Sequence, residues 1–352
     1  MFIATIIGHF AWGHQRLDGQ TIKTHNIYCA LKESIGANEV KTVDTYGGVQ
    51  FLLKLPIILL KVLYTSKNIV ILPAQRGIKI ISPLLLLYNC IFKRNIHYIV
   101  IGGWLSEMAS QSKMVKYCIQ KFDAIYVETQ NMQTALQSLN INNVIIMPNF
   151  KNIPIRHSDD IQKQVFVEPY PLCTFSRVSR EKGIEIAIEA VKLANTKLGR
   201  VAYHLDIYGQ IEDEKDWFIP LMSQQPQYIQ YKGLVSANDS VNILSHYYML
   251  LFPTFYAGEG FAGTLIDAMC TGLPVIATNW HNNNEIITHG HNGFLVPIQD
   301  SENIVHILLK IASEPNNLSI IRQNCLEEAT KYQSKQVIKT LTNQFDSPTT
   351  NK

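Results

Sequence analysis

One alternation, written out twice, dominates this sequence. Short apolar stretches rich in β-branched residues, "FIATII", "NIVILP", "IHYIVIGG" and "AIYVET", are separated by segments of helical character such as Thr24 to Ile35. Strand and helix in regular alternation specify a parallel sheet assembled from strand–helix–strand units. The stretch "MPNFKNIPIRHSDDIQKQVFVEPYP" is rich in Pro, Asn and charge and carries no sustained period, which marks a linker. The alternation then restarts with "LCTFS", a helix from Ile184 to about Thr196, "AYHLDIYG", "YIQYKG", "YMLLFP", "PVIAT" and "GFLVP". A chain of 352 residues exceeds one ordinary core. The expected architecture is α/β with two Rossmann-like, doubly wound parallel-sheet domains, residues 1–165 and 166–330. A C-terminal helix in 331–352 is expected to pack back on the first domain and to end in a frayed tail.

Composition narrows the class. With 47% hydrophobic and 17% charged residues, the chain has the make-up of a globular protein with a sizeable core. "MFIATIIGHF" has no basic flank and only a short apolar run, so it reads as a first strand rather than a signal peptide, and the cytoplasm is the expected location. The apolar run Ile80 to Phe92 is interrupted by Pro83 and bounded by Lys79 and Lys93, which excludes a bilayer span. Cys29, Cys90, Cys118, Cys173, Cys270 and Cys325 are scattered without a Cys-x-x-Cys pair, which argues against a zinc site and a disulfide framework. Residues 1–165 carry 17 Lys+Arg against 9 Asp+Glu, whereas residues 166–352 carry 14 against 19. The basic half should meet an anionic surface; without an aromatic-basic motif or recognition module, nucleic acid explains it less well.

Chemistry concentrates in "FYAGEGFAGTLIDAMCTGLPVIAT", Phe255 to Thr278. "YYMLLFP" reads as a strand and "TLIDAMC" as a helix stopped by Gly272 and Pro274, so Glu259 falls in the loop between them and Asp267 one turn into the helix. Loops leaving the carboxyl ends of parallel strands line the ligand crevice of such sheets. Gly258, Gly260 and Gly263 allow close backbone approach, and the helix start favours a phosphate. Two acids beside an anion site suit a sugar or ribose diol. "FSRVSREKGIEIAIEA" adds a second strand-end loop, with Arg177, Arg180 and Lys182 ahead of a helix beginning near Gly183, the makings of a phosphate clamp.

Taken in order, "SRVSREKG", "DIYGQ", "YKGLVS", "LLFPTFYAGEGFAGTLIDAMCTGLPVIAT" and "HNGFLVP" resemble the C-terminal domain of family 4 retaining glycosyltransferases, over most of residues 170 to 300. The resemblance implies the glycosyltransferase-B fold, two Rossmann-like domains facing an interdomain cleft. It implies that Arg177 and Lys182 bind the donor diphosphate and offset the charge growing on the leaving group, with no metal and no cofactor beyond the nucleotide-diphosphate sugar itself. Glu259 would hold donor-sugar hydroxyls, and the backbone from Gly260 through Phe261 and Ala262 to Gly263 would meet the distal phosphate. Asp267 would bind the ribose diol, at a position where the family usually has Glu. The nucleobase would lie along the main chain near Gly209 and near Leu234 and Val235.

"DGQTIKTHNIYCAL" and "VIGGWL" resemble a branch of the family that builds bacterial capsular or exopolysaccharide. Gly19, Gln20 and Thr21, after the long first loop, are expected to reach the donor phosphates, with Gly102 and Gly103 standing where many relatives carry a histidine. No catalytic histidine is assigned, although His9 and His14 lie in the first loop. "LKLPIILLKVLY" and "IISPLLLLYNCIFKR", edged by lysines, suit either buried helices or shallow contact with anionic lipid. The expected activity is hexosyl transfer from a nucleotide-diphosphate sugar, UDP-linked, to a saccharide acceptor, one carried on polyprenyl diphosphate included, in surface polysaccharide synthesis. The competing readings are a non-catalytic sugar-nucleotide-binding partner subunit and a nucleotide-sugar epimerase of the same fold. A dinucleotide-dependent dehydrogenase is excluded, since "IIGHFAWGHQRLDG" lacks the Gly-x-Gly-x-x-Gly turn.

Overall fold

The computed structural model describes residues 1–14, 18–211, 214–236, 239–314 and 318–345; residues 15–17 of the first long loop and the tail beyond 345 lie outside the described residues. The chain forms two compact units, Met1–Asn152 with Tyr332–Lys352, and Ile153–Lys331. The expected boundary at 165/166 thus moves to 152/153. The reason is hydrogen-bond anchoring, through backbone and side chains, that composition does not reveal. The Arg156 N–H donates to Cys270 O at 2.8 Å, its guanidinium to Gln164 Oε1 at 2.7 Å, and Ser158 Oγ to Gln323 Oε1 at 2.6 Å.

The first unit runs β1 (Phe2–Gly8), α1 (Gly19–Ile35), β2 (Val40–Asp44), α2 (Val49–Thr65), β3 (Ser66–Leu72), α3 (Gln75–Phe92), β4 (Asn95–Ile99), α4 (Leu105–Gln111), α5 (Lys113–Gln120), β5 (Ala124–Val127), α6 (Gln130–Gln137) and β6 (Val144–Ile146). All its strands pair in parallel, in the order β2-β1-β3-β4-β5-β6. Strand side chains alternate between two apolar layers. Ile7, Ile69 and Ile71 join the layer of α2, α3 and α5, whereas Ile6, Val70 and Leu72 join that of α1. Covered on both faces, the central strands must be apolar throughout, which is why they stand out in the sequence. The edge strands β2 and β6 do not: Thr42 and Asp44 in β2 are only half-buried, and β6 has three residues. Helix α1 starts five residues before the expected Thr24, because Asp18 caps it by accepting from the Thr21 N–H at 3.0 Å. Helix α3 continues through Pro83.

The second unit runs α7 (Ser158–Gln162), β7 (Tyr170–Phe175), α8 (Ile184–Leu198), β8 (Tyr203–Tyr208), α9 (Lys215–Ser223), β9 (Ile229–Gly233), α10 (Ser240–Leu244), β10 (Met249–Phe252), α11 (Gly263–Thr271), β11 (Val275–Thr278), α12 (Asn283–Ile286), β12 (Gly293–Val296), α13 (Ser301–Ser313) and α14 (Leu318–Ala329). Its parallel strands lie in the order β12-β11-β10-β7-β8-β9. Helix α8 buries Ile184, Ala187, Ile188 and Val191 at helical spacing and stops at Gly199, whose φ of 67° only glycine adopts freely. The chain then returns to the first unit with α15 (Ser334–Thr342), where Val337, Ile338 and Leu341 join the layer of Ile27 and Leu31 on α1. Among the described residues no helix is long and apolar enough to cross a membrane.

Candidate active site in the second unit

In the second sheet, the strand order reverses between β7 and β10, and an open parallel sheet binds ligands at such a point, beyond the carboxyl ends of the strands. The two loops leaving these strands carry the expected clamp and the first of the two acids.

After β7, Arg180–Lys182 forms a single 3-10 turn closed by Gly183 at φ 75°. A Cβ on Gly183 would stand 2.1 Å from Pro253 O, so the β7 loop lies flush against the end of β10. This close approach delivers Lys182 to Glu259: Nζ to Oε2 is 2.5 Å, and each side chain is 8% exposed. Thr254 Oγ1 donates to the same carboxylate oxygen at 2.9 Å, and the Phe255 N–H holds Glu181 O at 2.8 Å. Arg177 and Lys182 both lie over the ring of Tyr256, at 5.2 and 4.9 Å from its centroid. The end of β11 and the loop after it join in: Trp280 Nε1 donates to Tyr256 O at 2.9 Å, and Thr278 Oγ1 donates to Thr254 O. Arg177 and Lys182 on one loop and Glu259, 77 positions after Lys182, are therefore one cluster.

Downstream of Glu259, Phe261 is buried and Ala262 takes the N-cap position of α11, where no side-chain hydrogen bond caps the helix that begins at Gly263. An uncapped first turn leaves amide groups for an anion. Asp267, on the same helix, is 1% exposed, and Ser240 Oγ donates to its Oδ1 at 3.1 Å. A diol reaching Asp267 would share it with Ser240. After β8, Gly209 has φ 144°, and a Cβ there would stand 1.7 Å from Ser176 O. Its N–H donates to Gly233 O at 2.9 Å and its carbonyl accepts from Tyr231 Oη at 2.8 Å. Leu234 follows β9 and is exposed; Val235 is half-buried. Sequence reasoning passed over Thr254, Tyr256, Trp280 and Ser240. A polar Thr directly after a buried strand was the available signal for the first.

Gly19, Gln20, Thr21, Gly102 and Gly103 belong to the first unit, at strand carboxyl ends. Thr21 is buried, its hydroxyl 2.9 Å from both Asp18 Oδ2 and His9 Nδ1; Gln20 Nε2 donates to Leu72 O at 3.4 Å. Apart from its chain neighbours and its own helix, nothing lies within 4 Å of where a Cβ on Gly19 would stand, and Gly102 turns the chain at φ 79°. The start of the first loop is held by Asp44, whose carboxylate accepts from the N–H groups of Phe10, Ala11, Trp12 and Tyr46 at 2.9 to 3.2 Å. Among the described residues no group of three or more His, Cys, Asp or Glu is placed to hold a metal ion.

Residues 170–314 match the family described as Glycosyl transferases group 1, a span containing every second-unit residue of the candidate site. Over 215 residues the chain is 30% identical to the UDP-N-acetylglucosamine–peptide N-acetylglucosaminyltransferase GtfA subunit of Streptococcus pneumoniae, covering 60% of this chain and 41% of the relative. It is also 30% identical over 88 residues to the UDP-Gal:alpha-D-GlcNAc-diphosphoundecaprenol alpha-1,3-galactosyltransferase of Escherichia coli, covering 25% of this chain and 22% of the relative. The chain thus spans less than half the length of these curated relatives. Among solved structures, HepE of Anabaena in complex with UDP superimposes with a TM-score of 0.75 at 17% identity, covering 99% of this chain and all of the other. That likeness is one of fold: two Rossmann-like units of the glycosyltransferase-B kind.

Proposed function

We propose that this chain is a retaining hexosyltransferase of family 4 that needs no metal and moves a hexose from a nucleotide-diphosphate sugar, UDP-linked, to a saccharide acceptor in bacterial surface polysaccharide synthesis. The observation that carries the reading is the Arg177–Lys182–Glu259 cluster at the switch point of a unit matching glycosyl transferases group 1. Arg177 and Lys182 supply two positive charges where a diphosphate leaves, the task a divalent cation would otherwise perform. Glu259, hydrogen-bonded by Lys182 and Thr254, would accept from sugar hydroxyls. The uncapped start of α11, from Gly260 to Gly263, would take the distal phosphate, Asp267 the ribose diol, and the main chain around Gly209, Leu234 and Val235 the base. No side chain is assigned as a nucleophile. The acceptor hydroxyl bonds to the anomeric carbon as the bond to the diphosphate oxygen breaks, and its proton passes to the departing phosphate, so attack and departure share one face and configuration is kept. In the first unit, Gly19 to Thr21 with Gly102 and Gly103 are proposed to meet the donor phosphates. The named activity of the Escherichia coli relative supports a polyprenyl-diphosphate-linked acceptor, which we propose is reached from the cytoplasmic side.

Thermal-shift and calorimetric titration of the purified chain with UDP-, GDP-, dTDP- and CMP-sugars in EDTA tests the reading. Saturable stabilisation by UDP-sugars, about 2.7 kcal/mol at a hundredfold excess over Kd, lost in Arg177→Ala, is the expected result. Stabilisation by none of them, or only after EDTA is omitted, overturns the donor site or its metal independence respectively.

A further inference from the structure

We infer that the outer face of α2 and α3 is a docking surface for an anionic lipid bilayer, into which its side chains dip without crossing. Helix α2 is apolar on two opposite sides. Leu55, Leu59, Val62 and Leu63 fill the core beneath it. On the opposite side Leu53, Ile57, Leu60 and Tyr64, spaced four, three and four residues apart, form one stripe along the helix. Leu53 is 77% exposed, Ile57 and Tyr64 73% each. A helix at a water-facing surface carries polar residues there. Lys54 and Lys61, seven residues apart, lie along one flank of the stripe.

Helix α3, packed beside α2, repeats the arrangement: Ile80, Leu87 and Ile91 point outward at spacings of seven and four, Ile91 77% exposed, with Lys79 before them and Lys93 after. Charge identifies the occupant. Residues 49–121, which contain both helices and α5 beside them, hold ten Lys+Arg and one acid, Glu107. Large aliphatic side chains in stripes, edged by lysines of a single sign, match an interfacial helix on anionic lipid, where the stems sink alongside the apolar groups and the ammonium groups meet head-group phosphates. The inference deepens the lipid-carried acceptor proposed above, yet involves none of the residues assigned to the donor.

The test is flotation of the full chain with vesicles of phosphatidylcholine alone and of phosphatidylcholine with phosphatidylglycerol, at low and physiological salt. Light scattering gives the oligomeric state in parallel. Flotation only with the phosphatidylglycerol vesicles, falling severalfold as salt rises, is expected. Leu53→Ser with Ile57→Ser, and separately Lys54→Glu with Lys61→Glu, should each lower the bound fraction about tenfold while UDP-sugar stabilisation stays unchanged. The inference is overturned by failure to float, by equal flotation with neutral vesicles, or by a wild-type dimer that Leu53→Ser with Ile57→Ser splits, which would make the face a self-association surface. Salt-dependent flotation without UDP-sugar stabilisation would keep the surface and remove the donor reading.

Discussion

Lys182 and Glu259 depend on each other because neither charge can be left alone when both side chains are buried. Removing one partner of a buried pair costs about 3–5 kcal/mol, whereas replacing both with apolar groups is often near neutral. Glu259→Gln should therefore destabilise the second unit more than Lys182→Met combined with Glu259→Leu, as urea unfolding would report. Turnover should collapse in both variants if the pair acts on the donor; a double variant that folds and retains activity would reduce the pair to a structural element. Gly209 makes a sharper demand. Its φ of 144° and the 1.7 Å approach to Ser176 O predict that Gly209→Ala displaces the loop after β7, costs about 1–3 kcal/mol or more and weakens UDP-sugar binding along with stability. The sequence displayed the ionic members of this site, since Arg177, Lys182 and Glu259 sit in recognisable strand-end loops and Asp267 in the helix that follows one of them. It hid Thr254, Tyr256 and Ser240, because their importance comes from partners 5, 74 to 79 and 27 residues away, and no local pattern encodes such contacts.

At the scale of elements, the start of the loop after β1 is organised by the last residue of β2. Burial pushes the Asp44 carboxyl up, and the backbone N–H groups of Tyr46, Trp12, Phe10 and Ala11 together outweigh it, leaving the group below its ordinary value. The native state then binds fewer protons than the unfolded chain. Its contribution is complete above the usual carboxylate range and is lost as pH falls through the lowered value. Asp44→Asn should flatten that acid limb in a stability-against-pH series, and an unchanged limb would show that the four bonds carry no net weight. The same strand shows why elements were unequally legible. Central strands sandwiched between helices must be apolar on both faces and were readable, whereas β2 and β6 at the sheet edges need to bury less and were not. The start of α1 was misplaced because helical periodicity begins only at Thr24, while the cap that sets the start is Asp18.

For the whole molecule, thiol accessibility is a compact check on both units. Cys29 and Cys90 are exposed, while Cys118, Cys173, Cys270 and Cys325 are buried. A thiol reagent should label two cysteines in the native chain and six in denaturant; rapid native labelling of Cys173 or Cys325 would contradict the packing of the second unit. The return of the chain through α15 has a further consequence, for synthesis on the ribosome. Translation proceeds from the N-terminus, yet Val337, Ile338 and Leu341, which complete the buried cluster of Ala4, Ile6 and Ile27, are made only after the entire second unit. The half that emerges first is the half that must wait, its apolar sheet face open to other nascent chains, while the half that emerges second holds all of its own parts. Ribosomes stalled anywhere between Asn152 and Ser334 would present this incomplete face to chaperones, so the vulnerable interval in the life of the protein is its own translation.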